Sequence, residues 1–204
     1  MTEMTLYWCP RTRASRAVWM LEEVSADYDL MFIDIRDEES KADPEFRIAS
    51  PMGKVPALKH GDMTMTDSTA IIAYLAELYP DAGLAPPVGD PMRGPYLQWL
   101  IFGGAYIEPA MTEAFGSTTP NATAHGWGNF ELTIDMLREG LKQGPWILGD
   151  KFCAADVMLG SSVYFMRMFG VLPDHADLHA YVDRCLERPA YAKALKIDSD
   201  AMPD

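Results

Sequence analysis

The run from Ser50 to Tyr79, SPMGKVPALKHGDMTMTDSTAIIAYLAELY, carries three features in a fixed order. Val55-Pro56 closes a loop. The segment from Ala57 to Thr66 has the pattern of a hairpin that turns at His60-Gly61-Asp62. Asp67-Ser68 then opens an amphipathic helix, with Ile71, Ile72, Leu75, Leu78 and Tyr79 on one face at helical spacing. Proline cannot donate to a strand ladder, so Pro56 belongs at the first residue of a strand or at an edge. Only about 5–6% of X-Pro bonds in folded proteins are cis, so the local sequence alone gives a trans bond here. A cis bond would turn the Val55 N–H and C=O outward, as a free strand edge. Asp67 or Ser68 caps the helix. A helix start also offers N–H donors and partial positive charge to an anion.

On the N-terminal side of this run, residues 4–8 read as a strand and residues 9–13 as a turn. A helix over 14–24 and a strand over 29–35 follow. Residues 36–46 are charged and irregular, with room for one short helix. The order βαβ then ββα is thioredoxin-like, with a parallel pair joined by a right-handed crossover and then an antiparallel hairpin. On the C-terminal side, Pro80 to Pro91 contains four prolines and two glycines and reads as a linker. Beyond it the pattern is all helical. Helices are expected over 92–115, 122–143, 154–169, 175–188 and 189–195. Gly103-Gly104 and Pro109 should bend the first, and the third, Ala154 to Phe169, is apolar enough to be buried. The expected organisation is therefore an α/β thioredoxin-like domain over 1–80, a linker over 81–91 and an all-α domain over 92–204.

Main-chain pairing at Val55, a carboxylate at Ser68 and an ammonium facing Asp67 together describe a γ-glutamyl peptide such as glutathione. GKVPAL followed by TDSTAIIAYLAELYP also resembles the cytosolic glutathione S-transferases, and the two-domain order extends that resemblance over nearly the whole chain. WILGDKFCAADVMLG, residues 146–160, adds to it: the family opens its buried helix with a Ser/Thr-x-x-Asp box, and here Asp156 matches while Cys153 stands in the hydroxyl's place. The resemblance implies a cis-proline loop at Val55-Pro56 that pairs with the cysteinyl part of glutathione. It implies that Asp67 and Ser68 hold the γ-glutamyl end. A homodimer and detoxifying conjugation are the family expectation.

Such an enzyme holds the glutathione thiol as thiolate near neutral pH, although a free thiol has a pKa of about 8.5. A hydroxyl donor, a helix N-terminus and nearby cations lower it. These groups should lie between the first strand and the first helix, in Tyr7-Trp8-Cys9-Pro10-Arg11-Thr12-Arg13-Ala14-Ser15-Arg16. Thr12 stands where theta- and delta-like members carry a catalytic serine. Cys9-Pro10 resembles the omega-like members, and Arg11 and Arg13 beside it should depress its pKa. Tyr7 ends the first strand, as the catalytic tyrosine does in alpha-, mu- and pi-like members. Ser15 reads as a helix-surface residue, and Arg16 as either a source of positive potential or a surface ion pair. Lys54, and more weakly Lys41, could meet the glycyl carboxylate. The second substrate, a small apolar electrophile, is expected in a cleft between the domains, with Tyr96, Trp99, Phe102, Gly103, Tyr106 and Glu108 as candidate lining. The same aromatics also suit a core.

Three readings follow: a glutathione transferase acting through Thr12, a glutathione-dependent thiol oxidoreductase acting through Cys9, and a non-catalytic binding or regulatory protein on the same fold. The net charge of −13 argues against nucleic acid or an anionic membrane as partner, though a local basic patch remains compatible with it. Three cysteines without two-residue spacing fit a reducing compartment and no zinc motif. With no apolar run long enough to span a bilayer and no signal-peptide pattern, the expectation is a cytoplasmic protein without a metal. His175 and His179, beside Asp174 and Asp177, read as a solvated helix start.

Overall fold

The computed structural model describes residues 3–201. Strand β1 (Met4–Trp8) leads through a turn to helix α1 (Ala14–Glu23) and strand β2 (Asp29–Phe32). Two short helices follow, α2 (Glu38–Lys41) and α3 (Pro44–Ala49), where one was expected. Each has its own aspartate cap: Asp37 accepts from Glu39 and Ser40, and Asp43 from Phe46. Strands β3 (Ala57–His60) and β4 (Met63–Thr66) form the hairpin, and α4 (Ser68–Leu78) completes the segment. Gly61 takes φ +57° in the two-residue hairpin loop, where a positive φ is required.

The sheet order is β2-β1-β3-β4. β1 pairs parallel with β2, with Leu6 opposite Leu30, and antiparallel with β3, with Leu6 opposite Leu58. Leu6 and Leu58 are fully buried. β2 ends at Phe32, not Ile35. It is the edge strand, its Met31 and Phe32 are half exposed, and Asp34 binds back onto Arg36 and Asp37 in a turn that stops the ladder.

The second half of the chain carries α5 (Arg93–Phe102), a π-helical turn (Gly103–Ile107), α6 (Glu108–Ala114), α7 (Phe130–Leu141), α8 (Ala154–Met168) and α9 (Ala176–Leu186). The expected bend in the first helix takes the form of the π turn. Pro109 has no N–H for the carbonyl one turn back and its ring crowds that carbonyl, so the helix widens over the two glycines. α7 starts at Phe130, eight residues later than expected. Gly126 and Gly128 disfavour helix before it. Asn129 supplies the cap by accepting from Leu132, and Glu113 collects the Trp127 indole, the His125 ring and the Phe130 amide. α8 is the buried central helix, opened by Asp156, which accepts from the amides of Ile147 (2.9 Å) and Cys153 (3.0 Å) and the hydroxyl of Tyr181 (2.8 Å). The Cys153 thiol donates to the same carboxylate at 3.3 Å.

A last helix, α10 (Pro189–Asp200), runs five residues beyond its expected end. It packs against α1. Arg188 grips Glu23 with two bonds of 2.6 Å, and Trp19 stacks on Tyr191 with ring centroids 3.9 Å apart. The chain therefore separates into one compact unit that runs up to Ala82 and takes in the chain from Glu187 onward, and a second over Gly83–Leu186. The final helix groups with the thioredoxin-like unit, not with the all-helical one as the sequence suggested. No helix among the described residues is long and apolar enough to cross a membrane.

Candidate functional site

The strand registers gather the expected residues at one end of the sheet. Tyr7, Ala57 and Thr66 stand in one row across β1, β3 and β4, and Trp8 pairs with Phe32 across β1 and β2. At that end β1, β2 and β4 leave the sheet and β3 enters it. Residues 9–13, 33–41, 50–56 and 67–70 therefore all start from or lead to one rim.

The Val55-Pro56 bond is cis, against the local-sequence expectation and in line with the resemblance. Val55 lies just before the ladders, which begin at Ala57. Ser50, fully buried, closes the loop ahead of it. Its hydroxyl donates to the Lys54 carbonyl at 2.7 Å and accepts from the Lys54 amide at 2.9 Å. The sequence reading passed over Ser50, although a serine ahead of Pro-x-Gly-Lys is the usual signal of a side chain that satisfies its own loop.

Asp67 takes φ +72° and caps α4. A single oxygen, Oδ1, accepts from both Thr69 (2.8 Å) and Ala70 (3.0 Å). Its Oδ2 has no partner among the described residues. Ser68 is the first residue of the helix and is mostly buried. Its amide and hydroxyl have no partner there either.

Beside Lys54 lies a pocket of about 360 Å³ lined by Glu38, Lys41, Ala42, Arg47, Met52, Gly53 and Lys54. Three of these are cations, so a basic patch does exist in this acidic chain. Lys41 is paired with Glu38 at 2.5 Å. Arg47, also missed from the sequence, lies directly over Gly53: a Cβ there would stand 2.5 Å from its Nη1. No periodicity points to Arg47, because the turn at Gly53 is what brings it in.

The candidate thiol activators separate clearly. Thr12 is half-buried at the start of α1. Its Oγ1 donates to the Cys9 carbonyl at 2.7 Å and accepts from the Ala14 amide at 3.1 Å. The hydroxyl therefore stands at the helix start, on a rotor that can turn to an incoming acceptor. Tyr7 is different. Its ring is buried among Ile33, Phe46, Ala49 and Ala57, 5.7 Å from the Phe46 ring. Burial, followed by Glu45 and Asp43, pushes its hydroxyl pKa up, so Tyr7 is a core residue. Cys9 is also buried, and the depressed pKa expected of it is reversed. Burial raises it first, and Asp34 and Asp198 raise it further, against an Ile35 backbone bond and Arg36. The cation that lowers it is Arg36. Ser15, expected on the helix surface, and Arg16, expected as either a source of positive potential or a surface ion pair, are both buried. α10 packs against α1, and Ser15 donates to its Asp198.

In the helical unit, Tyr96, Trp99, Phe102 and Gly103 are buried. Trp99 packs on Gly140 and edge-on to Phe102, and Gly103 lies under Met158. Tyr106 stacks on Phe102 at 4.9 Å and is 39% exposed, so it offers the open aromatic face of this group. Glu108 is half-buried. His179 meets Asp174 at 3.6 Å, and among the described residues no group of three His, Cys, Asp or Glu side chains could hold a metal.

Residues 2–77 match the family description "Glutathione S-transferase, N-terminal domain", and residues 120–184 match "Glutathione S-transferase, C-terminal domain". The chain is 36% identical over 213 residues to glutathione S-transferase F7 of Arabidopsis thaliana, covering 91% of this chain and 96% of that protein. It is 27% identical over 200 residues to glutathione S-transferase GstA of Escherichia coli O157:H7, covering 96% and 98%. Its fold matches the structure of a sphingomonad glutathione S-transferase complexed with glutathione, with a TM-score of 0.79 and 26% identity over 97% of this chain and all of that one.

Proposed function

The chain belongs to the glutathione S-transferase family, and from that we propose that it joins the glutathione thiolate to small apolar electrophiles, with Thr12 holding the thiolate. The observation that carries the binding half is the division of labour at Asp67. Oδ1 caps α4 while Oδ2 is left outward, next to the open amide and hydroxyl of Ser68. An α-amino acid end fits this pair, its ammonium on Oδ2 and its carboxylate at the helix start. The cysteinyl main chain would pair with Val55 beside Pro56. The glycyl carboxylate would enter the pocket of Lys54, Arg47 and Lys41, which is attractive to an anion in an otherwise acidic protein. The sulfur would then approach the start of α1. There the Thr12 hydroxyl and the helix dipole favour the thiolate, which attacks an electrophilic carbon and displaces a leaving group or adds across a double bond.

Burial of Cys9 with a raised thiol pKa supports this over chemistry through a protein thiolate. Tyr106 is the candidate electrophile contact in the helical unit. Three free, buried cysteines, Cys9, Cys153 and Cys185, support a cytoplasmic setting. We also propose a homodimer. Met52 in one unit is 81% exposed, and Leu97 and Ile101 on α5 are 37% and 52% exposed, which favours a covering partner copy. Light scattering should give about twice the 22.7 kDa of one chain, and a monomeric mass at working concentration would count against the dimer.

The binding reading is tested by titration calorimetry on Asp67→Ala and Ser68→Ala. Each removes a charge-assisted contact of about 1.5–3 kcal/mol, so glutathione affinity should fall by about 10-fold or more. Losses below about threefold in both, on the same scale, would overturn it.

A further inference from the structure

We propose that Asp198, on the C-terminal helix, is the positioning residue for the thiol-activating loop: its carboxylate ties down Arg11 and Ser15 and so fixes where the Thr12 hydroxyl stands. The proposal rests on the reading of Thr12 above. Arg11 takes φ +55°, a left-handed conformation that side chains with a Cβ resist. Such a residue persists only when its surroundings over-determine it. Here the determinant is Asp198 Oδ2, which accepts the Arg11 amide at 3.3 Å and the Ser15 hydroxyl.

These two attachments bracket Thr12. The Thr12 carbonyl in turn accepts the Ser15 amide at 3.1 Å, and its hydroxyl bridges Cys9 and Ala14. Thr12 itself and its bonds to Ala14 and Ser15 therefore lie in a segment pinned at both ends by one carboxylate, and its bond to Cys9 starts just outside it. Asp198 is held firmly in its own right. α10 runs antiparallel to α1, with Arg188 on Glu23 and Tyr191 on Trp19 at one end and Asp198 at the other.

Asp198 is 6% exposed, and its Oδ1 has no hydrogen-bond partner. A buried carboxylate with an unpaired oxygen is a costly way to accept two bonds. Burial raises its pKa, against bonds from Ser15 and the Arg11 amide and the Arg11 charge. Both of its hydrogen bonds go to the segment that carries Thr12.

The test compares Asp198→Ala, Asp198→Asn and Ser15→Ala in the full chain. The readouts are kcat and KM for glutathione and the pKa of the bound thiol from the pH dependence of kcat/KM. Asp198→Ala should lower kcat by about 10-fold, because small misplacements of a catalytic group carry penalties of this order. KM should stay within about twofold, since the peptide's contacts lie on other loops. The bound-thiol pKa should rise by about one unit. Asp198→Asn keeps an oxygen for Arg11 and Ser15 and should restore kcat to within about threefold of the parent. Loss of negative charge alone would lower the thiol pKa in both variants, so a rise confined to alanine identifies positioning. Ser15→Ala removes one attachment and should shift kcat and pKa the same way by less, and it decides the question if Asp198→Ala does not fold.

An unchanged thiol pKa in both Asp198→Ala and Ser15→Ala overturns the proposal, as does equal damage from asparagine and alanine. Thr12→Ala run alongside separates the two levels. If it leaves the thiol pKa unchanged, the reading of Thr12 fails and takes this one with it. If it raises the pKa while Asp198→Ala does not, only the role of Asp198 is lost.

Discussion

Thr12→Ala is expected to lower kcat/KM for glutathione conjugation by about 100-fold, and to return the bound thiol toward its free pKa of about 8.5. The hydroxyl now satisfies itself locally, donating to the Cys9 carbonyl and accepting from Ala14. A thiolate is a better acceptor than a carbonyl, so the proton should turn to the sulfur when glutathione arrives. A hydrogen bond to a charged group contributes about 1.5–3 kcal/mol, which is roughly 10- to 150-fold in rate or in acid dissociation. The direction with pH follows. A bound thiol with a lowered pKa is active on the alkaline side of that pKa, so the parent should hold its rate through neutral pH. The alanine variant should recover part of its rate as pH rises toward 9. The same substitution strips an acceptor from the Ala14 amide, so a loss of about 0.5–2 kcal/mol in stability should accompany it. Thr12→Ser keeps both roles and should stay within about threefold of the parent. Cys9→Ser, at a buried thiol with a raised pKa, should stay near the parent as well. Collapse of activity in Cys9→Ser with survival in Thr12→Ala would reverse the assignment.

Asp156→Ala is expected to cost about 4 kcal/mol or more in urea unfolding. Asp156 is fully buried and serves three strong donors, the Ile147 amide, the Cys153 amide and the Tyr181 hydroxyl. Alanine would orphan all three at once, at about 1–3 kcal/mol each, though contacts in one network do not add fully. Against a usual total of about 5–15 kcal/mol, such a loss leaves little folded protein at 37 °C. Burial raises the Asp156 pKa while these hydrogen bonds pull it back. Asp156→Asn, with one carbonyl oxygen, should therefore fall between parent and alanine. A loss near 1 kcal/mol or less for Asp156→Ala would mean that water replaces the carboxylate at little cost.

The parts of this protein that could be read from its sequence are those with local causes. Pro56, Gly61 and the Asp67-Ser68 pair each act on their own neighbours, so the hairpin, the loop and the helix start were visible. The Cys153 and Asp156 box, three residues apart, was visible through the family resemblance. The failures are of two kinds. Some are short-range signals outweighed by others: Asn129 and two glycines delay α7, and an edge position shortens β2. The rest come from contacts with no sequence proximity. Arg188 and Glu23 are 165 residues apart, and Arg11 and Asp198 are 187. Nothing in ASRAVWMLEE shows that a distant helix covers its outer face, so Ser15 looked exposed. The proposal of Thr12 over Cys9 and Tyr7 rests on the burial of the last two. Spacing alone gave each of them a claim.

The backbone at Asp67 has a consequence for how this protein would respond to selection. Its φ of +72° is costly for a residue with a Cβ and natural for glycine. Glycine is also a fair helix cap, only a few tenths of a kcal/mol behind aspartate. A search for heat-resistant descendants would thus find little to defend at this position and a relaxed backbone to gain. It would drift toward glycine while retaining soluble, well-folded protein. What disappears is the outward oxygen, which makes neither of the two capping bonds and which, on the proposed reading, meets the substrate's ammonium. If Asp67 binds the substrate as proposed, thermal screening of this scaffold is blind at that residue, and libraries that leave position 67 open would mistake lost binding for improved folding.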